Sequence, residues 1–283
     1  MKELDYINII KSFTQNKYIG DDCAYLKDLN LVITQDNFVE NIHFRKDWAT
    51  PYQIGYKAAT VNISDILAAG AKPKYLTVGL TLPKVDDNFI KDLYRGITSG
   101  ACGAEIIGGD ITGGEKLYIS ITAIGSTLGR KIASRSNAKP GYVVIASGEH
   151  GLSSLGLEEL QNGGNNQSYI KAHLEPTLDI HFSEIISTQI ECDYAMMDSS
   201  DGLADALFKI AQASCCKIKT SNIKGMFGAE DYKLIAAVPK EFLYKLDNYI
   251  LIGEVYKFDG YYLQINNKNY KNYDELDLFN HFK

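Results

Sequence analysis

The residues of this chain best suited to chemistry are aspartates, and their positions carry more information than their number. Asp21 and Asp22 follow Gly20 in a loop behind the first helix, and Asp36 is expected at the C-terminal end of a strand. Asp65 comes three residues after Asn62, so both project from one face of a helix. Asp110 follows Gly108 and Gly109 at an expected strand end, while Asp198 and Asp201 bracket Ser199 and Ser200, with Gly202 next and a helix behind them. Carboxylates at strand ends and glycine turns suit hard divalent cations such as magnesium, which take oxygen ligands and keep several waters. Glycine lets backbone come close to a metal or a phosphate. The same pairs also read as ordinary turns, in which aspartate bonds its own backbone.

Other signatures are absent. The sequence has no G-x-x-x-x-G-K-[ST], no G-x-G-x-x-G at a strand-helix turn, no G-x-S-x-G and no H-E-x-x-H. The loop from Ser147 to Gly151 and the helix start at Ser153 and Ser154 can present N–H groups to an anion, or can serve close helix packing. His43, in a polar loop soon after Asp36, reads from its spacing as a solvated histidine.

The elements that must position these groups alternate in type. Leu4, Ile7, Ile10 and Phe13 recur at helical spacing, and Leu31 to Ile33 is a buried-strand pattern. Thr50-Pro51 is a helix start; that helix should end near Ala69, with Gly70 capping and Pro73 blocking continuation. Strand is expected over 75–82, helix over 87–102, strand over 104–107 and over 117–124. The polar, basic stretch from Gly129 to Gly141 is the best domain junction, followed by strand over 142–146 and helix over 152–160. Mixed strands and helices predict an α/β or α+β protein of two domains, residues 1–131 and 137–283.

Composition narrows the partners. At a net charge of −6 over 283 residues, nothing pulls the chain toward nucleic acid or an anionic membrane. A bound polyanion would therefore need cations between itself and the protein. The five cysteines are odd in number and scattered without a C-x-x-C pair, which suits a reducing cytosol better than disulfides or zinc. The N-terminus lacks the apolar core of a signal peptide and no run approaches a membrane span, so a cytoplasmic protein is expected.

Six segments then carry a family resemblance: IGDDCA (Ile19 to Ala24), ITQDNFVENIHF (Ile33 to Phe44), YKAATVNISDILAAGAKP (Tyr56 to Pro73), IGGDIT (Ile107 to Thr112), RSNAKPG (Arg135 to Gly141) and DSSDGLADAL (Asp198 to Leu207). In this order they resemble thiamine-monophosphate kinases, of the superfamily shared with aminoimidazole ribonucleotide synthetase; AEDYKL (Ala229 to Leu234) looks like a further motif of that family. The resemblance implies an N-terminal α/β domain that dimerises through its sheet, a C-terminal α/β domain, and magnesium-dependent transfer of the ATP γ-phosphate to thiamine monophosphate. It implies magnesium ligands at Asp22, Thr34, Asp36, Asp65, Asp110 and Asp198, with Asp201 holding a further ion. Gly109, Asp110, Arg135 and Ser200 would touch ATP, and His43 and Glu230 the thiamine phosphate. An acceptor phosphate with a second pKa near 6 is largely a dianion at neutral pH, so no general base is expected; Asp36, Asp65 and Asp110 would act through metal.

Two departures stand out. Gln35 replaces the family's Ser or Thr before Asp36, predicting a lost or altered metal contact, and Gly113 replaces an arginine. Tyr273 and Phe279 are the candidates for the aromatic against the acceptor rings. The alternatives are a protein of the same fold that binds nucleotide or thiamine phosphate without turnover, or another ATP-dependent member of the same superfamily.

Overall fold

The helix that organises the molecule begins at a capping box. In the computed structural model, which describes residues 3–14, 18–276 and 278, the Gln53 N–H donates to Thr50 Oγ1 at 3.3 Å and the Thr50 N–H to Gln53 Oε1 at 3.0 Å. With Pro51 at its first position, α2 then runs Pro51–Ala68 and ends where Gly70 turns left-handed at φ 78°. Nearly all of α2 is buried, because it has a neighbour on every side.

One neighbour is a five-stranded mixed sheet, in the order β1-β2-β5-β3-β4. Its strands are β1 (Ala24–Leu26), β2 (Leu31–Val39), β3 (Lys72–Leu82), β4 (Glu105–Gly113) and β5 (Tyr118–Ser126). Only β3 and β4 pair in parallel. A second neighbour is α3 (Asp87–Gly100), where glycines let the helix backbones nearly touch. A Cβ on Gly96 would lie 1.9 Å from Tyr52 O, and one on Gly55 would lie 2.1 Å from Leu93 O. The short helix α1 (Glu3–Thr14) precedes this layer.

The third neighbour is the rest of the chain, built on a seven-stranded sheet in the order β12-β11-β8-β10-β6-β9-β7. Its strands are β6 (Tyr142–Ala146), β7 (Ala195–Asp198), β8 (Cys216–Thr220), β9 (Leu234–Pro239), β10 (Ile250–Lys257), β11 (Leu263–Ile265) and β12 (Lys268–Tyr270). Helices α4 (Leu152–Asn162), α5 (Gln167–Leu174), α6 (Ile180–Gln189) and α7 (Leu203–Ala213) complete it. One apolar core runs from β2, α2 and β5 into β6, α6 and β9, while α7 packs into a second core with Val144, Met197 and Ile218. The α/β class read from the sequence is the class observed.

Local punctuation misplaced some boundaries. Asp36 lies inside β2, not at its end, because the ladder to β5 continues to Val39. Gly108, Gly109 and Asp110 are likewise inside β4, held extended by the parallel ladder to β3 despite their turn-like composition. Strand β3 starts at Lys72, with Pro73 on its irregular first pairs. Phe279 lies outside the described residues.

Candidate active site

Three segments bring carboxylates together at the seam between the two sheets. Asp22 comes from the loop before β1, Asp65 from α2 and Asp198 from the last position of β7; one oxygen of each lies within 4.8 Å of the others. Neighbours orient them. Thr34 Oγ1 donates to Asp65 Oδ2 at 2.6 Å, and Ser64 Oγ donates to Asp198 Oδ2 at 2.7 Å. Arg135 grips Asp22 with two nitrogens of its guanidinium, at 2.6 Å from Nη2 to Oδ1 and 3.3 Å from Nε to Oδ2, while its backbone N–H points at Asp21.

Such crowding is electrostatically costly. Burial, followed by the charges of Asp36, Asp198 and Asp22, pushes the Asp65 carboxyl well above the ordinary range. Asp198 is pushed up to about 7, first by burial and then by Asp22, against the opposing Ser64 hydrogen bond. Oxygen-only donors converging from different segments, with their charge incompletely compensated, match what magnesium requires. Arg135 supplies part of that compensation: burial works against its charge, but Asp22 and Asp21 hold it firmly protonated.

The other expected residues sit around this trio at different depths. The Asp36 N–H donates to Asn62 Oδ1 at 3.0 Å, so β2 and α2 are tied beside the cluster. Gln35, by strand alternation, points away from Thr34 and Asp36; its Oε1 accepts from Thr122 Oγ1 at 3.0 Å. Its substitution therefore touches none of these carboxylates, contrary to the expectation of an altered metal contact. Asp110 is exposed on β4 opposite Gly79, outside the trio, with Thr112 Oγ1 3.4 Å away. Gly109 beside it has a packing reason to be glycine, since a Cβ there would lie 1.9 Å from Val78 O. Asp201 pairs with Lys209 at 3.0 Å. The Ser200 N–H approaches Asp198 Oδ1 at 3.4 Å, and Ser200 O accepts from the Glu230 N–H at 2.7 Å.

His43 is more anchored than its spacing implied: Nδ1 accepts from the Val39 N–H at 3.1 Å and the ring stacks on Phe38. Tyr273 is committed elsewhere, donating to Asp205 at 2.6 Å and packing on Phe208. The helix start near Ser153 does hold an anion, but it is the protein's own. Asp231 accepts from the Gly151 N–H at 2.7 Å and the Ser153 N–H at 3.0 Å. Sequence reasoning missed Lys57 and His173, which lie against Glu230. The available signal was a lone lysine in the midst of an apolar helix.

Among the described residues no helix is long and apolar enough to cross a membrane. The fold, with its carboxylates gathered at the seam between two sheets, defines a class. A family model for AIR synthase related protein, N-terminal domain, matches residues 20–127. The thiamine-monophosphate kinase of Corynebacterium glutamicum is 34% identical over 237 residues, 76% of this chain and 69% of that protein. That of Bacillus subtilis is 34% identical over 254 residues, 79% and 78% of the two chains. The structure of AaThiL complexed with AMPPCP and TMP superposes with a TM-score of 0.88 at 29% identity, covering 99% of this chain and 97% of that one. The chain belongs to the thiamine-monophosphate kinase family.

Proposed function

We propose that the protein transfers the γ-phosphate of ATP to thiamine monophosphate, giving thiamine diphosphate, with Mg2+ held at the seam between the sheets. The observation that carries this reading is the approach of Asp22, Asp65 and Asp198 to within 4.8 Å while burial and mutual repulsion raise the carboxyl pKa of Asp65 and Asp198. The relatives named above share the family's activity in name, and AaThiL was solved with AMPPCP and TMP, a nucleotide analogue and an acceptor.

Asp22, Asp65 and Asp198, with Asp36 and Thr34 adjoining, would hold the metal; Asp110 and Asp201, at the margins, would serve further ions. Bound there, Mg2+ would screen the two substrates from each other and from the carboxylates and polarise the transferred phosphoryl group. Arg135 and the Ser200 backbone would receive ATP with Gly109 and Asp110, and His43 and Glu230 would receive the acceptor. No side chain is required as a base, because the attacking phosphate is already anionic at neutral pH.

The same reading divides the chain at residues 131–137, places it in the cytoplasm and makes it a homodimer. The exposed edge strand β4, carrying Ile107 and Ile111, supports the dimer, because an open strand edge with apolar side chains favours pairing with a second copy. An assay coupling ADP release to thiamine diphosphate formation tests the activity. Equal amounts of both products, abolished by a chelator and restored by Mg2+, are expected. Ligand binding without ADP release, or turnover indifferent to chelation, overturns the proposal.

A further inference from the structure

Lys57 is 2% exposed, in the middle of α2, and its partners all come from the other half of the molecule. Its Nζ lies 3.3 Å from Glu230 Oε2 and 3.5 Å from His173 Nε2. Burial lowers the Lys57 pKa, against the opposing charge and hydrogen bond of Glu230; as an ammonium it has no lone pair and donates to His173, which places that imidazole's proton on Nδ1. Nδ1 faces Ser153 Oγ at 3.0 Å and Glu230 Oε2 at 3.6 Å. Burial and then Lys57 lower the His173 pKa to about 4, keeping the ring neutral. Burial opposes the charge on Glu230, but the neighbouring Lys57 ammonium outweighs it and holds the carboxyl below its usual range. The cluster is thus one cation, one anion and a neutral, hydrogen-bonding ring.

The backbone around Glu230 is strained and braced. Glu230 and Tyr232 both have positive φ, 64° and 52°, which side-chain-bearing residues rarely adopt. Three bonds hold the segment there: the Glu230 N–H to Ser200 O at 2.7 Å, Asp231 to the start of α4, and the Lys233 N–H to Ser199 Oγ at 3.0 Å. Two of these run to the residues directly after Asp198. On α2, Ser64 reaches Asp198 and Lys57 reaches Glu230; two helical turns apart, they share one face about 10 Å long. A single rigid helix therefore touches both the metal-site end and the Glu230 end of the seam.

We propose that Lys57 is a positioning residue for the acceptor: through its ion pair it fixes the side chain of Glu230, and through α2 it registers the acceptor site against the carboxylate cluster. The inference rests on the functional reading above and deepens it.

Steady-state kinetics of Lys57→Met test it, alongside calorimetric binding of thiamine monophosphate. The expected result is a KM for thiamine monophosphate raised about tenfold or more, with the KM for ATP within about twofold, and acceptor binding weakened to match. A lysine that serves packing alone would lower the melting temperature without this split. The double variant Lys57→Met/Glu230→Gln removes both buried charges; it should recover thermal stability yet keep the raised acceptor KM. An unchanged acceptor KM in Lys57→Met, or its return to wild type in the double variant, overturns the inference. Wild-type protein that binds the acceptor but releases no ADP sinks the kinase reading instead, and the binding measurement still decides the role of Lys57.

Discussion

Ser64 Oγ donates to Asp198 Oδ2 at 2.7 Å, joining the middle helix of one half to the last residue of β7 in the other at the carboxylate cluster. That bond stabilises the ionised form of Asp198, yet it does not overcome burial and the neighbouring Asp22, and the carboxyl remains at about 7. The cluster is therefore a store of repulsion that a divalent cation would relieve.

A pH dependence follows for the metal-free protein. Asp198 has a folded pKa of about 7, above its ordinary value of 3.8, so its protonated form favours the fold. The associated stability is fully present below about pH 4 and is lost as pH rises through about 7. In chelator, the urea midpoint of the wild type should fall between pH 5 and pH 8 relative to that of Asp198→Asn, which cannot ionise. The variant should lose turnover by orders of magnitude while remaining folded. Parallel pH profiles for the two proteins, or wild-type turnover in the variant, would contradict the assignment.

Arg135 offers a second test, because it is bidentate on Asp22 while Asp22 faces the other two carboxylates. Its replacement leaves a buried carboxylate without its partner, a loss of about 3 kcal/mol. Arg135→Gln should show that loss in urea unfolding with chelator, and a smaller one with saturating Mg2+, since the ion then compensates the same charge. An equal loss in both conditions would separate Arg135 from the metal-binding carboxylates.

Much of this was readable from the chain alone, and the reasons differ by residue. Thr50-Pro51 and Gly70 are local signals, so both ends of α2 were legible. Asp22, Asp65 and Asp198 stood out as acidic residues in turns and on one helix face. Gly108-Gly109-Asp110 misled, because its composition favours a turn while the ladder to β3 makes it strand. Lys57 and His173 were invisible, since their meaning depends on contacts more than 100 residues apart in sequence. The start of α4 looked open to an anion for the same reason: Asp231, which fills it, lies 80 residues from Gly151.

Gln35 gives a negative prediction. Its side chain pairs with Thr122 on the face of the sheet away from Thr34 and Asp36. Gln35→Thr should therefore leave turnover and the Mg2+ midpoint within about twofold of wild type, because a cross-strand pair at an exposed position contributes well under 1 kcal/mol. A marked gain in metal affinity, measured by titrating Mg2+ into the ADP-release assay, would show that this position communicates with the carboxylates after all.

The last prediction concerns the packing that holds Asp65 in place from behind. Helix α2 presents Asp65 on one face and lies against α3 on another, where Gly96 leaves no room: a Cβ would sit 1.9 Å from Tyr52 O and 2.8 Å from Tyr56 N. Both contacts are backbone, so neither can swing aside as a flexible side chain would. Gly96→Ala must push the helices apart or unwind a turn, and a loss of about 3 kcal/mol is expected despite alanine's better helix propensity. Because α2 also carries Ser64 and Lys57, the displacement should reach the seam. The variant is expected to combine a lower unfolding midpoint with a weaker Mg2+ dependence of activity, although residue 96 touches neither substrate nor metal ligand. Gly103 provides the control, since its Cβ would meet nothing within 4 Å, although its φ of 83° makes a backbone penalty expected there too. Gly103→Ala should therefore cost stability without changing the Mg2+ titration, and a shift of that titration in both variants would remove the α2–α3 contact as its cause.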